Sequence, residues 1–148
     1  NGWIEEDDVE AMHAFYEPLP PGTFKVLVLH HHLLQLGFRR HDIARRAQQA
    51  LRAVEDCGVD LILCGHLHQS HIERIRFGDN GSEVVVASAG TATSSRGRGD
   101  DAGINGFNLV EIEGSEARIE EMRYDPEEGR FTRYRRSEYE RLVPVQTT

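Results

Sequence analysis

Two short apolar segments of the chain end directly in histidines, and a helix-like segment lies between them. Residues 25–29 precede three consecutive histidines, and residues 59–63 precede the sequence Cys-Gly-His-Leu-His. Apolar runs of this length, without helical periodicity, are typical of buried strands. A strand–helix–strand unit makes its two strands parallel. The sequence therefore predicts an α/β fold in which both histidine clusters lie at one edge of a sheet.

The segment 42–57 is predicted to be the helix of this unit. Asp42 is a suitable N-cap, and Gly58 stands where a C-cap is expected. Apolar side chains recur along one face at helical spacing, namely Ile43, Ala47, Ala50, Leu51 and Val54. Gly65 is expected to end the second strand, because glycine adopts backbone angles that a Cβ forbids.

Histidines at this position indicate a metal site. Ligands bind at the carboxyl ends of parallel strands, and neutral imidazole is a ligand for Zn, Fe, Ni and Cu. In extended or turning backbone, residues i and i+2 point to roughly the same side, so His66 and His68 are expected to act together. A single histidine is more often structural, but paired clusters after two strands favour the metal. The triple histidine lies inside the fold, unlike a purification tag at a terminus.

Four stretches resemble the calcineurin-like metallophosphoesterases. Residues 65–68, Gly-His-Leu-His, resemble the family's Gly-His-x-His motif, and residues 29–32 resemble its His-His-Pro motif with His32 in the place of the proline. Residues 89–96 and 106–110 resemble bacterial members, including those similar to cyclic-nucleotide phosphodiesterases. The family's Asp-x-His, Gly-Asp-x-x-Asp and Gly-Asn-His motifs have no counterpart in the chain. The resemblance implies the carboxyl-terminal half of an α/β/β/α sandwich with mixed sheets.

The resemblance also implies a function. It predicts a phosphoesterase that hydrolyses phosphodiester or phosphomonoester bonds with two metal ions, drawn from Mn, Fe and Zn. His30 and His66 would bind one ion and His68 the other, whereas His31 would contact the substrate or support a ligand. The expected substrate is a small phosphate ester, with nucleotides among the candidates.

Physical chemistry indicates that part of such a site is missing. Three neutral imidazoles carry no charge to offset two cations, and bringing two such ions together requires carboxylates. Asp60 precedes its strand, and Asp42 is assigned to capping, so Asp100 and Asp101 are the only candidates in a loop. We expect weak metal binding and little hydrolysis unless an amino-terminal half or a second chain completes the site. The alternative is a non-catalytic metal-binding or interaction module.

The loop 91–105 and two further histidines carry weaker signals. Arg96 is a candidate phosphate ligand, because arginine binds phosphate bidentately and nearby glycines let backbone N–H groups approach an anion. A solvated, mobile loop is the equal alternative. His71 could orient a ligand imidazole, although packing within its strand is favoured. His41 is expected to be structural or solvent-facing.

The rest of the chain reads as one helix and two hairpins. Residues 5–17 are predicted to be helical, and residues 70–77 and 82–88 to pair around Asn80-Gly81. A second hairpin is expected from 107–113 and 116–123. A last strand at 130–135 would be followed by a polar tail, 136–148, so that 1–135 form a single domain.

Composition narrows the function further. A net charge of −8 over 148 residues argues against non-specific nucleic-acid binding, which needs clustered Lys and Arg. Cys57 and Cys64 form no Cys-x-x-Cys pair and have no zinc-finger spacing with the histidines, which favours a reducing compartment. No segment has the apolar length of a membrane span, and no signal peptide is evident. We therefore expect a cytoplasmic protein.

Overall fold

The computed structural model describes residues 2–35, 43–77 and 82–141 and contains two β-sheets and two helices. The helices are α1 (Glu6–Tyr16) and α2 (Ala47–Cys57). The first sheet has the order β1-β2-β4-β3, and its strands are β1 (Val26–Val28), β2 (Leu61–Cys64), β3 (His71–Phe77) and β4 (Ser82–Ser88). The second has the order β5-β6-β7, with strands β5 (Gly106–Glu113), β6 (Glu116–Asp125) and β7 (Arg130–Glu140).

The predicted strand–helix–strand unit is confirmed. β2 runs parallel to β1 on one side and to β4 on the other, while β3 is antiparallel to β4. Val28 lies opposite Leu63, and Leu63 opposite Ala87, so the carboxyl ends of three strands lie at one edge. This mixed sheet, together with the antiparallel second sheet, confirms the predicted α/β class.

The first sheet has a core on each face. Alternate residues of β2 and β4, such as Ile62 and Val86, pack toward the helices with Val54. The intervening residues, such as Leu61 and Val85, pack with Ile119 of the second sheet. Burial of each such side chain contributes about 1.5–3 kcal/mol before chain entropy is counted. The layers are therefore helices, mixed sheet and antiparallel sheet.

Helix α2 begins five residues later than predicted. Its N-cap is Arg46, in the left-handed conformation (φ 62°), and no side chain caps the first turn. The preceding residues are held elsewhere: Ala44 N donates to His32 O at 2.8 Å, and Arg45 N donates to Gly2 O at 2.9 Å. These contacts draw the backbone out of a helical path. Gly58 is the C-cap as predicted (φ 62°), while Asp42 lies outside the described residues.

The second sheet extends further than the sequence suggested. β7 continues to Glu140, so residues 136–140, predicted to be tail, are a strand paired with β6. Ion pairs between the strands explain why so polar a segment pairs, as Arg118 Nε lies 3.4 Å from Glu138 Oε1. Residues 142–148, Asn80-Gly81 and His41 lie outside the described residues. Neither helix, each 11 residues long, could cross a membrane.

Candidate metal site

Three imidazoles meet at the carboxyl edge of the first sheet. His30, His31 and His66 each offer a ring nitrogen, and these atoms all lie within 4.8 Å of one another. His66 Nδ1 is 3.2 Å from His30 Nε2, and the ring centroids of His31 and His66 are 4.2 Å apart. The predicted convergence of the two strand-end clusters is therefore present in the structure.

The backbone explains why the imidazoles meet. Leu29 N donates to Leu63 O at 3.0 Å, and Gly65 N donates to His30 O at 3.3 Å. These bonds continue the pairing of β1 with β2 past the last strand residues. His30 and His66 consequently leave the sheet side by side.

The turn after β2 uses left-handed backbone at its histidines and not at its glycine. His66 has φ 69° and His68 has φ 55°, whereas Gly65 is not left-handed. The prediction that Gly65 supplies the unusual backbone angle is therefore wrong. Left-handed backbone is uncommon and strained for residues other than glycine, although histidine tolerates it better than most. Such strain concentrates at functional sites.

His68 does not join the group of three within the described residues. Its carbonyl accepts a hydrogen bond from Arg98 N at 3.0 Å, which ties it to the loop 91–105. It still lies close enough for its charge to lower the pKa of His66. The structure therefore brings His31, and not His68, into the group with His30 and His66. The binding of a second ion by His68 stays a prediction.

The electrostatics of the group favour neutral imidazole. Loss of hydration lowers the pKa of His31, and the charge of His30 lowers it further. The pKa of His66 is lowered first by loss of hydration and then by the charges of His31 and His30. The neutral ring is the form that binds a metal ion. A set of three neutral nitrogens with room for further ligands suits a single divalent transition metal.

A buried polar cluster lies beneath the imidazoles. The His32 side chain is 1% exposed, and its Nε2 lies 3.0 Å from Gly65 O and 3.3 Å from Ser88 Oγ. Cys64 Sγ lies 3.5 Å from His32 Nδ1. Burial raises the pKa of the Cys64 thiol to about 12, so the thiol is protonated and unreactive at neutral pH.

The carboxylates considered from the sequence lie elsewhere. Asp60 accepts from Lys25 N at 2.7 Å and lies 2.8 Å from Arg141 Nε, at the amino end of β2. Asp101 is buried and accepts from Ser70 N and, at 2.7 Å, from Arg123 Nη2. Asp100 is exposed. Among the described residues, no carboxylate joins the three imidazoles.

Arg96 and His71 show no geometry that assigns them to the site. Arg96 is exposed, and its backbone N–H donates to Ser94 Oγ at 3.4 Å. His71 Nε2 lies 3.1 Å from Glu73 Oε2 on its own strand, consistent with a strand residue. The role of Arg96 in phosphate binding stays a prediction.

Two of the imidazoles also line a cavity of about 340 Å³ beside β1. Its walls include α1 and the segment before it, and its lining residues include Trp3, Ile4, Asp8, Met12, Leu27, Leu29, His30 and His31. A Cβ on Gly2 would lie 2.5 Å from the His31 ring, so only glycine fits there. His31, which the sequence analysis expected to contact the substrate or support a ligand, is the third member of the group. The run of three histidines after β1 was its signal.

Known proteins match this chain in structure only. No protein-family profile and no curated protein matches the sequence. Among solved structures, Vps29 from Chaetomium thermophilum with the cyclic peptide RT-D3 matches at 17% identity and a TM-score of 0.50, covering 84% of this chain and 61% of that one. Vps29 from Entamoeba histolytica complexed with Zn²⁺ matches at 26% identity and a TM-score of 0.49, covering 81% and 58%.

The chain thus spans about three fifths of the length of these two structures. The Chaetomium match, at low identity, shows similarity of fold alone. The α/β architecture described above is therefore similar to part of Vps29, a protein of the calcineurin-like metallophosphoesterase fold.

Proposed function

We propose that this chain forms the carboxyl-terminal part of a metal-dependent phosphoesterase. The observation that carries the proposal is the meeting of His30, His31 and His66 within 4.8 Å at the ends of two parallel strands. These imidazoles would bind one divalent ion. A bound ion of this kind polarises a phosphoryl oxygen and lowers the pKa of a coordinated water.

The chain's own residues would hold and expose that ion. Neutral imidazoles leave its positive charge undiminished, and the exposed His30 places it at the surface, where a phosphate ester can approach. His68 lies on the same turn as a candidate ligand for a second ion of Mn, Fe or Zn. Exposed Arg96 is the proposed cationic contact for the substrate phosphate.

A dinuclear centre requires carboxylates that the described residues do not bring to the group. We propose that an amino-terminal half of the fold, or a second chain, supplies them. The substrate would be a small phosphate ester such as a nucleotide, since the net charge of −8 disfavours long nucleic acids. Both cysteines are free and buried, which supports a reducing location such as the cytoplasm.

The second candidate is a non-catalytic metal-binding or interaction module. It is favoured by the absence of a carboxylate from the group within the described residues. One of the matched Vps29 structures is complexed with a cyclic peptide, so a protein with a similar fold can bind a peptide. The two candidates differ in whether hydrolysis appears when the missing ligands are supplied.

The test compares the unmodified chain with His66→Ala and with His13→Ala. His13 is a matched control, because it lies on α1 and pairs with Glu17 at 2.9 Å. Zn²⁺ binding is measured by calorimetry, and hydrolysis of bis(p-nitrophenyl) phosphate by absorbance, with and without the upstream coding sequence. We expect His66→Ala to weaken Zn²⁺ binding by more than about tenfold and His13→Ala to leave it unchanged.

Hydrolysis that appears with the upstream sequence and disappears in His66→Ala supports the enzyme. Metal binding without hydrolysis in the longest chain supports the module. If His66→Ala retains both metal and hydrolysis at the unmodified level, the proposed site is wrong.

A further inference from the structure

We infer that His32 is a positioning residue, which sets the spacing of His30 and His66 through a hydrogen bond from its buried ring to the carbonyl of Gly65. The inference rests on the proposed metal site, because that spacing matters for a shared ion. His32 stands where the calcineurin-like family that the chain resembles has proline, and proline has no side-chain donor.

The contact joins the two segments that carry the imidazoles. His32 is two residues after His30, and Gly65 directly precedes His66. The His32 Nε2 to Gly65 O distance is 3.0 Å, and the side chain is 1% exposed. Because the donor ring is buried, water competes poorly for this hydrogen bond, and the bond holds the two segments together.

Gly65 is held by the other segment through both of its backbone groups. Its N–H donates to His30 O at 3.3 Å, and its carbonyl accepts from His32. His32 is itself anchored, because its carbonyl accepts from Ala44 N at 2.8 Å near the start of α2. Movement of the His66 turn relative to His30 would therefore break bonds at two points.

The neighbours of His32 also define where its proton lies. A carbonyl only accepts, so the hydrogen between Gly65 O and the ring belongs to Nε2. Ser88 Oγ donates to Gln69 O at 3.1 Å, which leaves its oxygen to accept from the same Nε2–H at 3.3 Å. Nδ1 is then an acceptor facing the Cys64 thiol at 3.5 Å. Both ring nitrogens of His32 thus have partners in the buried cluster, and His32 is not one of the three imidazoles that meet at the strand ends.

Two substitutions distinguish the effect of the His32 hydrogen bond from the effect of its side-chain volume. His32→Gln places an amide N–H₂ near the position of Nε2 and keeps a donor, whereas His32→Leu fills similar space without one. The first readout needs no metal: the nuclear Overhauser effect between the His30 and His66 rings. We expect it in the unmodified protein and in His32→Gln, and its loss in His32→Leu.

The second readout is Zn²⁺ affinity. Substitution of a residue that supports a metal ligand typically lowers metal affinity by about 10–100-fold, so we expect His32→Leu to lower Zn²⁺ affinity within that range. The Zn²⁺ affinity of His32→Gln should stay within about threefold of that of the unmodified protein. Leu33→Ala is the control for general softening, because Leu33 is buried next to His32. It should lower the urea midpoint without changing the inter-ring signal.

Each outcome decides the inference. It is overturned if His32→Leu keeps the inter-ring signal, or if Leu33→Ala loses it equally. If His32→Leu fails to fold, His32→Asn, whose amide is too short to reach Gly65 O, takes its place. If the inter-ring signal behaves as expected but the unmodified protein binds no Zn²⁺, the proposed function fails and the role of His32 stands.

Discussion

The charged groups of the second sheet pair with one another, whereas among the described residues no carboxylate joins the group formed by His30, His31 and His66. Arg118 Nη1 lies 2.8 Å from Glu111 Oε2, and Arg133 Nη1 lies 3.0 Å from Glu120 Oε1 across neighbouring strands. At the strand ends, by contrast, the described residues bring three imidazoles together without a carboxylate. The ion pairs of the second sheet thus join its neighbouring strands to one another. The strand ends are the place where we propose that a metal ion binds.

Backbone strain follows the same division. Among the described residues, the non-glycine positions with positive φ are Arg46, His66 and His68. None lies in the second sheet, and two lie in the turn that carries the imidazoles. Sites at which the fold accepts unfavourable backbone are more often functional than structural. The difference therefore identifies the strand ends as the region where chemistry is to be sought.

The largest expected effect on stability tests how the second sheet is attached to the first. Ile119 is fully buried between the sheets, so Ile119→Ala should lower the free energy of unfolding by about 3 kcal/mol through lost burial and a cavity. Leu109, 44% exposed on the same sheet, is the control, and Leu109→Ala should cost less than about 1 kcal/mol. Urea unfolding measures both. Equal losses would contradict attachment through this core.

Asp101→Asn tests the polar connection between the two regions. The buried carboxylate pairs with Arg123 at 2.7 Å and accepts from Ser70 N, two residues after His68. Loss of its charge leaves Arg123 without its partner, and we expect a cost of about 2–3 kcal/mol in urea unfolding. Exposed Asp100→Asn, one residue away, should be nearly neutral. A neutral Asp101→Asn would mean that this connection carries little stability.

The pH dependence of unfolding tests the imidazoles of His31 and His66, whose pKa is lowered in the folded protein. Loss of hydration lowers the folded-state pKa of His31 and His66 below their unfolded value of about 6.5. The unfolded chain then binds more protons at mildly acidic pH, so metal-free protein loses stability as pH falls through that value. We expect a lower urea midpoint at about pH 5.5 than at about pH 7.5, and a smaller difference in His31→Gln. An unchanged difference in His31→Gln would assign the effect to other groups.

The smallest expected effect concerns the glycine of the turn. Gly65 is not left-handed, and a Cβ there would meet no atom within 4 Å. Gly65→Ala should therefore cost less than about 0.5 kcal/mol. Gly58, at φ 62°, is the contrasting case, and Gly58→Ala should cost about 1 kcal/mol or more. If Gly65→Ala and Gly58→Ala lowered the free energy of unfolding equally, Gly65 would also be left-handed, in contradiction to the structure.

The sequence was sufficient where a local pattern sets the structure. The apolar runs before His30 and His66 and the helical face between them predicted parallel strands with histidines at one edge. Both hairpins were predicted from turn signals between strand-like segments. These features depend on neighbouring residues and so appear in the sequence itself.

The sequence was insufficient where distant contacts decide. The start of α2 is displaced because Ala44 and Arg45 bond to His32 and Gly2. β7 has too few apolar residues to indicate a long strand, but its charges meet partners on β6. The run of three histidines signalled His31, but its contact with His66 joins residues far apart in the sequence and could not be read from a local pattern.

The left-handed backbone at His66 and His68 restricts which side chains evolution or design could place there. Aspartate, asparagine and histidine tolerate positive φ, whereas threonine and valine, branched at Cβ, do not. A single Asp or Asn substitution at either position could thus introduce an oxygen donor beside the proposed metal site. A residue branched at Cβ would strain the same turn, so it would lower stability whatever donor atom it carried.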